Sequence, residues 1–338
     1  MVDAMGGDFA PDEIVDGVLE AIKEYQVGVV LAGPEELLRQ KLSAFDIEAL
    51  GVEILDAPEI IGMAEHPGQA IRKKKNSSIV KGVRMVKEGQ ADAFVSAGNT
   101  GACMAASLFG YGRITGIDRP AIASVMPTDY GPVLLLDVGA NADCKPQNLV
   151  QFAIMGQIYA EKILNIPKPS VGLLNIGEEE AKGNELSVAT YQLLKADPSI
   201  NFIGNIEGRD VFQGKANVVV CDGFVGNVFL KSAEGLANEL MKMVKDAFSS
   251  SLLGKAGAAL ALPALKGLKK RLDYAEYGGA PLLGVSGVCI ICHGSSKAKA
   301  IKNAIRVAKE CVEKQVVTAI QYELEGKSSM GDELSNGV

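Results

Sequence analysis

The sequence predicts an α/β protein built on a largely parallel sheet with helices on both faces. Two observations carry that prediction. One unit recurs along the 338 residues: a short β-rich run ends in a small Gly-rich polar loop, and a helical pattern follows. In addition, the apolar runs at 133–136 and 218–220 are continuous rather than alternating, as in strands buried on both sides.

The units follow in order. "VDAMGGDFAP" leads into a helix near 12–25, with Pro11 suited to the first turn. "AFVSAGNTGA" leads into "CMAASLFG", and "PVLLLDVGAN" precedes a polar loop and a helix from about 147 to 164. "SVGLLNIGEEEAKGNE" runs into "LSVATYQLLKA", and "NVVVCDGFVGN" into "VFLKSAEGLANELMKMVKDAF". Finally "GVCIICHGSS" opens the helical pattern "KAKAIKNAIRVAKECVEKQVVTAIQYEL". In such sheets ligands bind beyond the carboxyl ends of strands, where these loops fall.

Two helices raise separate expectations. In 233–248, Leu236, Leu240, Met243, Val244 and Ala247 recur at helical spacing, which reads as core packing, with a dimer interface as the alternative. In "LLGKAGAALALPALKGLKKRL", Leu265, Leu268 and Leu272 share one face after Pro263, and Lys266, Lys269, Lys270 and Arg271 crowd the other. That composition suits a helix lying in a membrane interface, against the plainer reading of a surface helix. The expected organisation is one large α/β catalytic unit over 1–325, or two intertwined subdomains. It includes an amphipathic segment at 249–272 that faces membrane or protein partner, and 326–338 reads as a flexible tail.

Bulk properties exclude several classes. A net charge of −7 argues against general nucleic-acid binding, which needs a basic surface. No apolar run approaches the roughly 20 residues of a membrane span, and the start "MVDAMGGDFAPDE" lacks the basic-then-apolar run of a signal peptide. The expected location is the cytoplasm, with peripheral attachment to the membrane. The six scattered cysteines suit reduced thiols. Cys289, Cys292 and His293 form C-x-x-C-H, the pattern of c-type haem attachment. Without an export signal or an obvious second axial ligand, that pattern is set aside in favour of a buried strand.

Familiar catalytic signatures are missing. The sequence holds no G-x-G-x-x-G after a strand, no phosphate-binding P-loop and no G-x-S-x-G. His66 and His293 are the only histidines, so a Ser-His-Asp triad has few ways to form. What remains is a set of Gly-, Asn- and Ser-rich loops at expected helix N-termini, where exposed N–H groups favour anions. "GNTGA" and "HGSSK" are the clearest. In the second, His293 ends the strand, Gly294 makes the turn, Ser295 and Ser296 can cap the helix, and Lys297 and Lys299 add charge. A plain cap and a plain glycine turn are the alternatives.

Eight blocks, "VDAMGGDFAP", "SAGNTGA", "LDVGAN", "NIGEEEAKGNE", "NIEGRD", "CDGFVGNV", "YGGAPLLGVSG" and "CHGSS", occur in order over residues 2 to 296. Together they resemble the bacterial acyl-ACP:phosphate acyltransferase (PlsX) family. The family usually has a few more residues before "VDAMGGD", and Asn is common there in place of Ser286. The resemblance implies a three-layer α/β/α sandwich with a largely parallel mixed sheet, similar to phosphotransacetylase and the isocitrate-dehydrogenase-like proteins, usually as a homodimer. It implies a reaction in which inorganic phosphate attacks a long-chain acyl-ACP, giving acyl phosphate and free acyl carrier protein. The product passes to a membrane glycerol-3-phosphate acyltransferase for phospholipid synthesis. No cofactor and no metal are implied.

Site residues follow from the same resemblance. Lys182, Asn227 and His293 are the expected catalytic residues, serving as phosphate or oxyanion cation, amide donor, and phosphate contact or acid for the leaving thiolate; a solvated loop lysine, a plain N-cap and a core or turn histidine are the alternatives. Gly6, Gly7, Asp8, Asn99, Thr100, Gly101, Asn141, Asn184, Asp222, Gly226, Ser295 and Ser296 are the expected phosphate and substrate contacts. Acyl carrier protein is acidic, so a basic landing site is needed. Arg72, Lys73 and Lys74 are one candidate, and the Lys266, Lys269, Lys270, Arg271 cluster beside Leu265 and Leu268 is another, the latter equally suited to anionic lipid. A phosphotransacetylase using acetyl-CoA, an NAD-dependent dehydrogenase of similar fold and a membrane-associated scaffold are the competing readings.

Overall fold

The computed structural model describes residues 1–271 and 274–335, without the side chains of 252, 259, 262, 264–266, 268–271, 274 and 327–335. The amino-terminal part contains β1 (Val2–Asp3), α1 (Asp12–Tyr25), β2 (Val29–Gly33), α2 (Glu35–Lys41), β3 (Val52–Asp56), α3 (Pro67–Lys73), α4 (Ser78–Lys87), β4 (Ala93–Ser96) and α5 (Thr100–Tyr111). The middle contains β5 (Ala121–Thr128), β6 (Gly131–Leu136), α6 (Pro146–Lys162), β7 (Val171–Leu174), α7 (Glu185–Ala196), β8 (Phe202–Ile206), α8 (Gly208–Phe212), β9 (Val218–Val220), α9 (Gly223–Ser249) and α10 (Leu252–Arg271). The chain then returns through β10 (Ala280–Leu283), β11 (Val288–Ile291), α11 (Ala298–Glu313) and α12 (Val316–Ser335).

All eleven strands join one sheet, in the order β3-β2-β1-β4-β11-β10-β5-β6-β9-β7-β8. The expected largely parallel sheet is present. β1, β2, β3, β4 and β11 are mutually parallel, and so are β6, β7, β8 and β9. Between them β10 is antiparallel to both β11 and β5, and β5 is antiparallel to β6. Those three pairings reverse direction an odd number of times, so the two parallel sets run in opposite senses. The first set takes its strands from both ends of the chain and the second from the middle.

The continuous apolar runs explain the layering. Leu134, Leu135 and Leu136 are all fully buried. Alternate residues point to opposite faces of a strand, and the two faces feed different cores. Leu134 and Leu136 join α1, α6 and α11 on one side, while Val133 and Leu135 join α3, α4 and α5 on the other. Val218 and Val220 divide from Val219 in the same way. Helix, sheet and helix therefore form three layers. A fully buried side chain such as Phe152 contributes about 2–3 kcal/mol by leaving water.

Some local expectations change. The final helical pattern is two helices, because Gln315 takes a left-handed φ of 52° between α11 and α12. α12 carries the backbone helix to Ser335, and 336–338 lie outside the described residues. The apolar stripe of α9 is not core of this chain. Leu236, Leu240 and Met243 are 63%, 52% and 62% exposed, because α9 leaves the sheet after its first turns. α10 packs against α9. The expected apolar and basic faces of α10 rest on the side chains of Leu265, Lys266, Leu268, Lys269, Lys270 and Arg271, and on residue 272, all outside those described. Among the described residues no helix is long and apolar enough to cross a membrane.

The haem-like pattern dissolves into packing. Cys289 lies inside β11 and Cys292 one residue beyond it, both buried. Burial pushes each thiol up to about 12. All six cysteines are free, and only Cys144 is more than marginally accessible. Ellman's reagent is expected to titrate about one thiol in the native protein and all six in denaturant, read by absorbance; rapid reaction of several native thiols would contradict this packing.

Candidate active site

Two buried carboxylates organise the loops at the strand ends, one in each parallel set. Asp3 ends β1 and is 1% exposed. It accepts hydrogen bonds from the Ser96 hydroxyl at 2.7 Å and the Met5 amide at 3.1 Å. Asp137 follows β6 and is fully buried. Its Oδ1 accepts from the amides of Ile122, Gly139 and Ala140, and its Oδ2 from both the backbone and side-chain nitrogens of Asn141. Burial raises the pKa of both groups, and these donors pull in the opposite direction.

The Asp137 turn seats the next helix. Gly223 donates its amide to the Asn141 carbonyl at 2.7 Å. Asp222 caps α9 by accepting from the Val225 amide at 2.9 Å. Gly226 then lies against the Asp137 carbonyl so closely that a Cβ would overlap it. One residue later Asn227 faces Gly139, whose backbone approaches the Asn227 amide group.

The other set builds its side from three loops. Gly7 takes φ +100°, and the Asp8 amide donates to the Gly294 carbonyl at 2.8 Å, which ties the β1 loop to the β11 loop. Asn99 caps α5 through the Ala102 amide at 2.9 Å. Its amide nitrogen donates to the carbonyls of Gly62, Met63 and Glu65, which latches the 62–65 loop beside the site. In the β11 loop the Ser295 amide donates to His293 Nδ1 at 3.2 Å. The Ser295 hydroxyl lies 2.7 Å from the same Nδ1, so Ser295 engages this ring nitrogen through both groups.

The loops of both sets meet in a cleft of about 560 Å³. Thr100 and His293 follow β4 and β11 of the first set, and Gly139 and Asn227 follow β6 and β9 of the second. Asp8, Thr100, Gly101, Asn227, His293 and Ser296 all line it. Gly6 and Gly7 sit behind, against Gly98 and Gly294. Asn141 is buried beneath, committed to Asp137 and the Pro120 carbonyl, and Asn184 caps α7 at the Ser187 amide.

Three expectations are displaced. Lys182 is exposed on the loop after β7 and is not among the residues lining the cleft. Ser295 and Ser296 do not cap α11, which starts only at Ala298; its first amide is taken by Glu13 of α1 at 2.8 Å. Lys74 is bonded to the Ile60 carbonyl and to Glu65, both at 2.6 Å, so only Arg72 and Lys73 of that trio stand free of this tie, exposed on α3.

Sequence reasoning missed four groups. Asp3 and Asp137 share a readable signal, an Asp at the end of an apolar strand just before a glycine turn. Lys231 and Glu234 line the cleft one and two turns after Asn227, at the i+4 and i+7 spacing that puts residues on one helix face. Partial burial raises the Glu234 pKa, and nearby His293 opposes that rise.

Comparison with known proteins gives a consistent picture. The profile of the fatty acid synthesis protein family matches residues 1–319. A phosphate acyltransferase of Pelotomaculum thermopropionicum is 59% identical over 324 residues, covering 96% of this chain and 94% of that protein. A phosphate acyltransferase of Heliobacterium modesticaldum is 58% identical over 327 residues, covering 96% and 97%. Among solved structures, a phosphotransacetylase from Streptococcus pyogenes superposes with a TM-score of 0.64 at 17% identity, covering 93% and 94%. One from Staphylococcus aureus gives 0.61 at 15% identity, covering 93% of each chain. These two establish a shared fold.

Two glycines of α9 are expected to respond in opposite directions. Gly226→Ala should destabilise the protein by about 1–3 kcal/mol, because the methyl meets backbone that cannot yield. Gly235→Ala, with nothing near its Cβ position, should stabilise it by up to about 1 kcal/mol through helix propensity. Urea midpoints check both, and equal shifts would refute the close seating of α9.

Proposed function

The chain belongs to the fatty acid synthesis protein family, and from that membership and its cleft we infer that it is a phosphate acyltransferase. Inorganic phosphate attacks the carbonyl carbon of an acyl thioester. A phosphate oxygen–carbon bond forms, the carbon–sulfur bond breaks, and the thiolate leaves with a proton as free thiol. The thioester we propose is a long-chain acyl group on acyl carrier protein.

One observation carries this reading. The two parallel sets present backbone-rich loops, an amide and an imidazole to one cleft, while its one cysteine, Cys292, is buried with its thiol pushed up to about 12. Such a thiol is not a thiolate near neutral pH and does not suit nucleophilic catalysis. Direct attack by phosphate needs no protein nucleophile. It needs positioning of two bound reactants and donors for the oxyanion of the tetrahedral intermediate.

The Asn227 side-chain amide and the Thr100 hydroxyl are donors for phosphate or oxyanion. His293 donates a hydrogen bond to the leaving sulfur, and the proton that sulfur takes up is the one hydrogen phosphate gives up on attack. Lys231 supplies a cation inside the cleft, and Lys182 is held as a second phosphate cation on the family resemblance alone. Arg72 and Lys73 give an acidic carrier protein a landing site next to the latched 62–65 loop. The exposed face of α9 suits pairing with a second copy of the chain, and α10 suits the membrane interface, where an acyl phosphate is best delivered to a membrane acyltransferase.

The decisive assay incubates the protein with palmitoyl-ACP, with and without phosphate, and traps acyl phosphate as hydroxamate. Phosphate-dependent product is expected, and acetyl-CoA should be a poor donor; the reverse preference would make the protein a phosphotransacetylase instead. In the same assay Asn227→Ala is expected to lower kcat by about 10²-fold, the usual cost of one oxyanion donor. Leu240→Glu should yield monomers in sedimentation analysis, and a dimer that survives would exclude α9 as the interface. Replacing Leu265 and Leu268 together with Glu should abolish co-flotation with anionic vesicles; unchanged flotation would remove α10 as the membrane contact.

A further inference from the structure

α5 is apolar on both sides, and only one side is used by the core. Its sequence, "TGACMAASLFGY", contains no charged residue. Ala102, Cys103, Ala106 and Ser107 are buried against the sheet. Gly101, Met104, Ala105 and Leu108 fall at i, i+3, i+4 and i+7, the opposite face, and are only half-buried. A helix that is apolar all round is normally buried all round. Here the second face lines a groove of about 440 Å³, closed on its far side by Pro120 and Leu282.

That groove is continuous with the cleft. Gly101 and Met104 line both, and Gly139 of the cleft is followed directly by Ala140 of the groove. Leu282 of the groove pairs across the sheet with Ile122 of the cleft. Charge appears only at the rim, where Arg113, Asp118 and Arg119 are exposed and Arg113 is fixed on the Asp118 carbonyl at 2.6 Å.

We propose that this groove along α5 holds the hydrocarbon chain of the acyl substrate, with its carbonyl end at Thr100 and Gly101 and its methyl end directed past Leu108. The proposal rests on the phosphate acyltransferase reading and adds the place where chain length is measured. An unbranched saturated chain matches a lining that offers no fixed polar partner along α5. The carrier's amide-bearing arm would leave its own polar groups unpaired there. Each methylene carried from water into such a groove raises affinity roughly fourfold, so the groove favours long chains. From Gly101 to Leu108 the helix advances about 10 Å, so obstructions at Ala105 and Leu108 act at successive depths.

Two measurements test it on the full-length protein. The chain has no tryptophan, so Leu108→Trp introduces the only tryptophan, at the outer end, where its emission is separable from that of the eight tyrosines. Stearoyl-ACP carrying a nitroxide on its distal half should quench that emission, and one labelled next to the carbonyl should quench it several-fold less. Absence of quenching, or equal quenching, would overturn the proposal. This readout needs no turnover, so a wild-type protein inactive with phosphate would refute the assigned reaction and leave the groove to be judged by fluorescence. In active protein, Ala105→Phe should lower the palmitoyl-to-octanoyl ratio of kcat/KM at least tenfold, and Leu108→Phe should lower it less. Parallel losses on both chain lengths, or an unchanged ratio, would show that the groove carries the pantetheine arm or nothing.

Discussion

The architecture of the site depends on the buried carboxylate of Asp137. Five N–H donors converge on it, and they come from β5, from the 139–141 turn and from the Asn141 side chain. A buried carboxylate is costly unless its lone pairs are filled. The turn therefore has little freedom, and its carbonyls become a fixed floor. Gly223 bonds to that floor, Gly226 lies flat against it, and Asn227 is delivered to the cleft wall. Asp3 does comparable work in the other half of the sheet by tying Ser96 and the β1 loop. The two groups never touch substrate in this scheme, yet each sets where the substrate-facing loops stand.

The second constraint is topological. A parallel sheet offers ligands only the carboxyl ends of its strands. A single parallel set would line one side of a site and leave the other to solvent. Here residues that follow β4 and β11 and residues that follow β6 and β9, on either side of the antiparallel β10 and β5, line one cleft, so donors come from both sets. Preorganised dipoles on two sides of a reacting carbonyl suit a reaction whose difficulty is charge and orientation rather than the supply of a nucleophile.

Apolar surface left open by the core is the third theme. α9 exposes Leu236, Leu240 and Met243, and α5 leaves Met104, Ala105 and Leu108 half-covered. Neither pattern benefits an isolated chain in water. The occupants proposed above are a second copy on α9 and a hydrocarbon chain on α5. The same helical periodicity fits packing, association or binding, and periodicity alone does not distinguish them.

That ambiguity marks what the sequence by itself determined. Strand–loop–helix alternation and the fully apolar runs in β6 and β9 were enough for an α/β/α sandwich, because burial on both faces demands continuous apolar residues. The eight spaced motifs were enough for the family. The loops carrying Asp8, Thr100, Asn227 and His293 were legible as candidates for the cleft they line, because short-range chemistry places them just after strand ends. Tertiary structure decided the rest. It turned Asn99 and Asn141 into structural ties, moved Lys182 off the cleft lining, and brought Lys231 and Glu234 onto it. It also put the apolar stripe of α9 in solvent. Each of these outcomes depends on which surface a residue meets across the fold. Contacts between residues a hundred positions apart are set by strand order and direction, and local sequence carries no record of either.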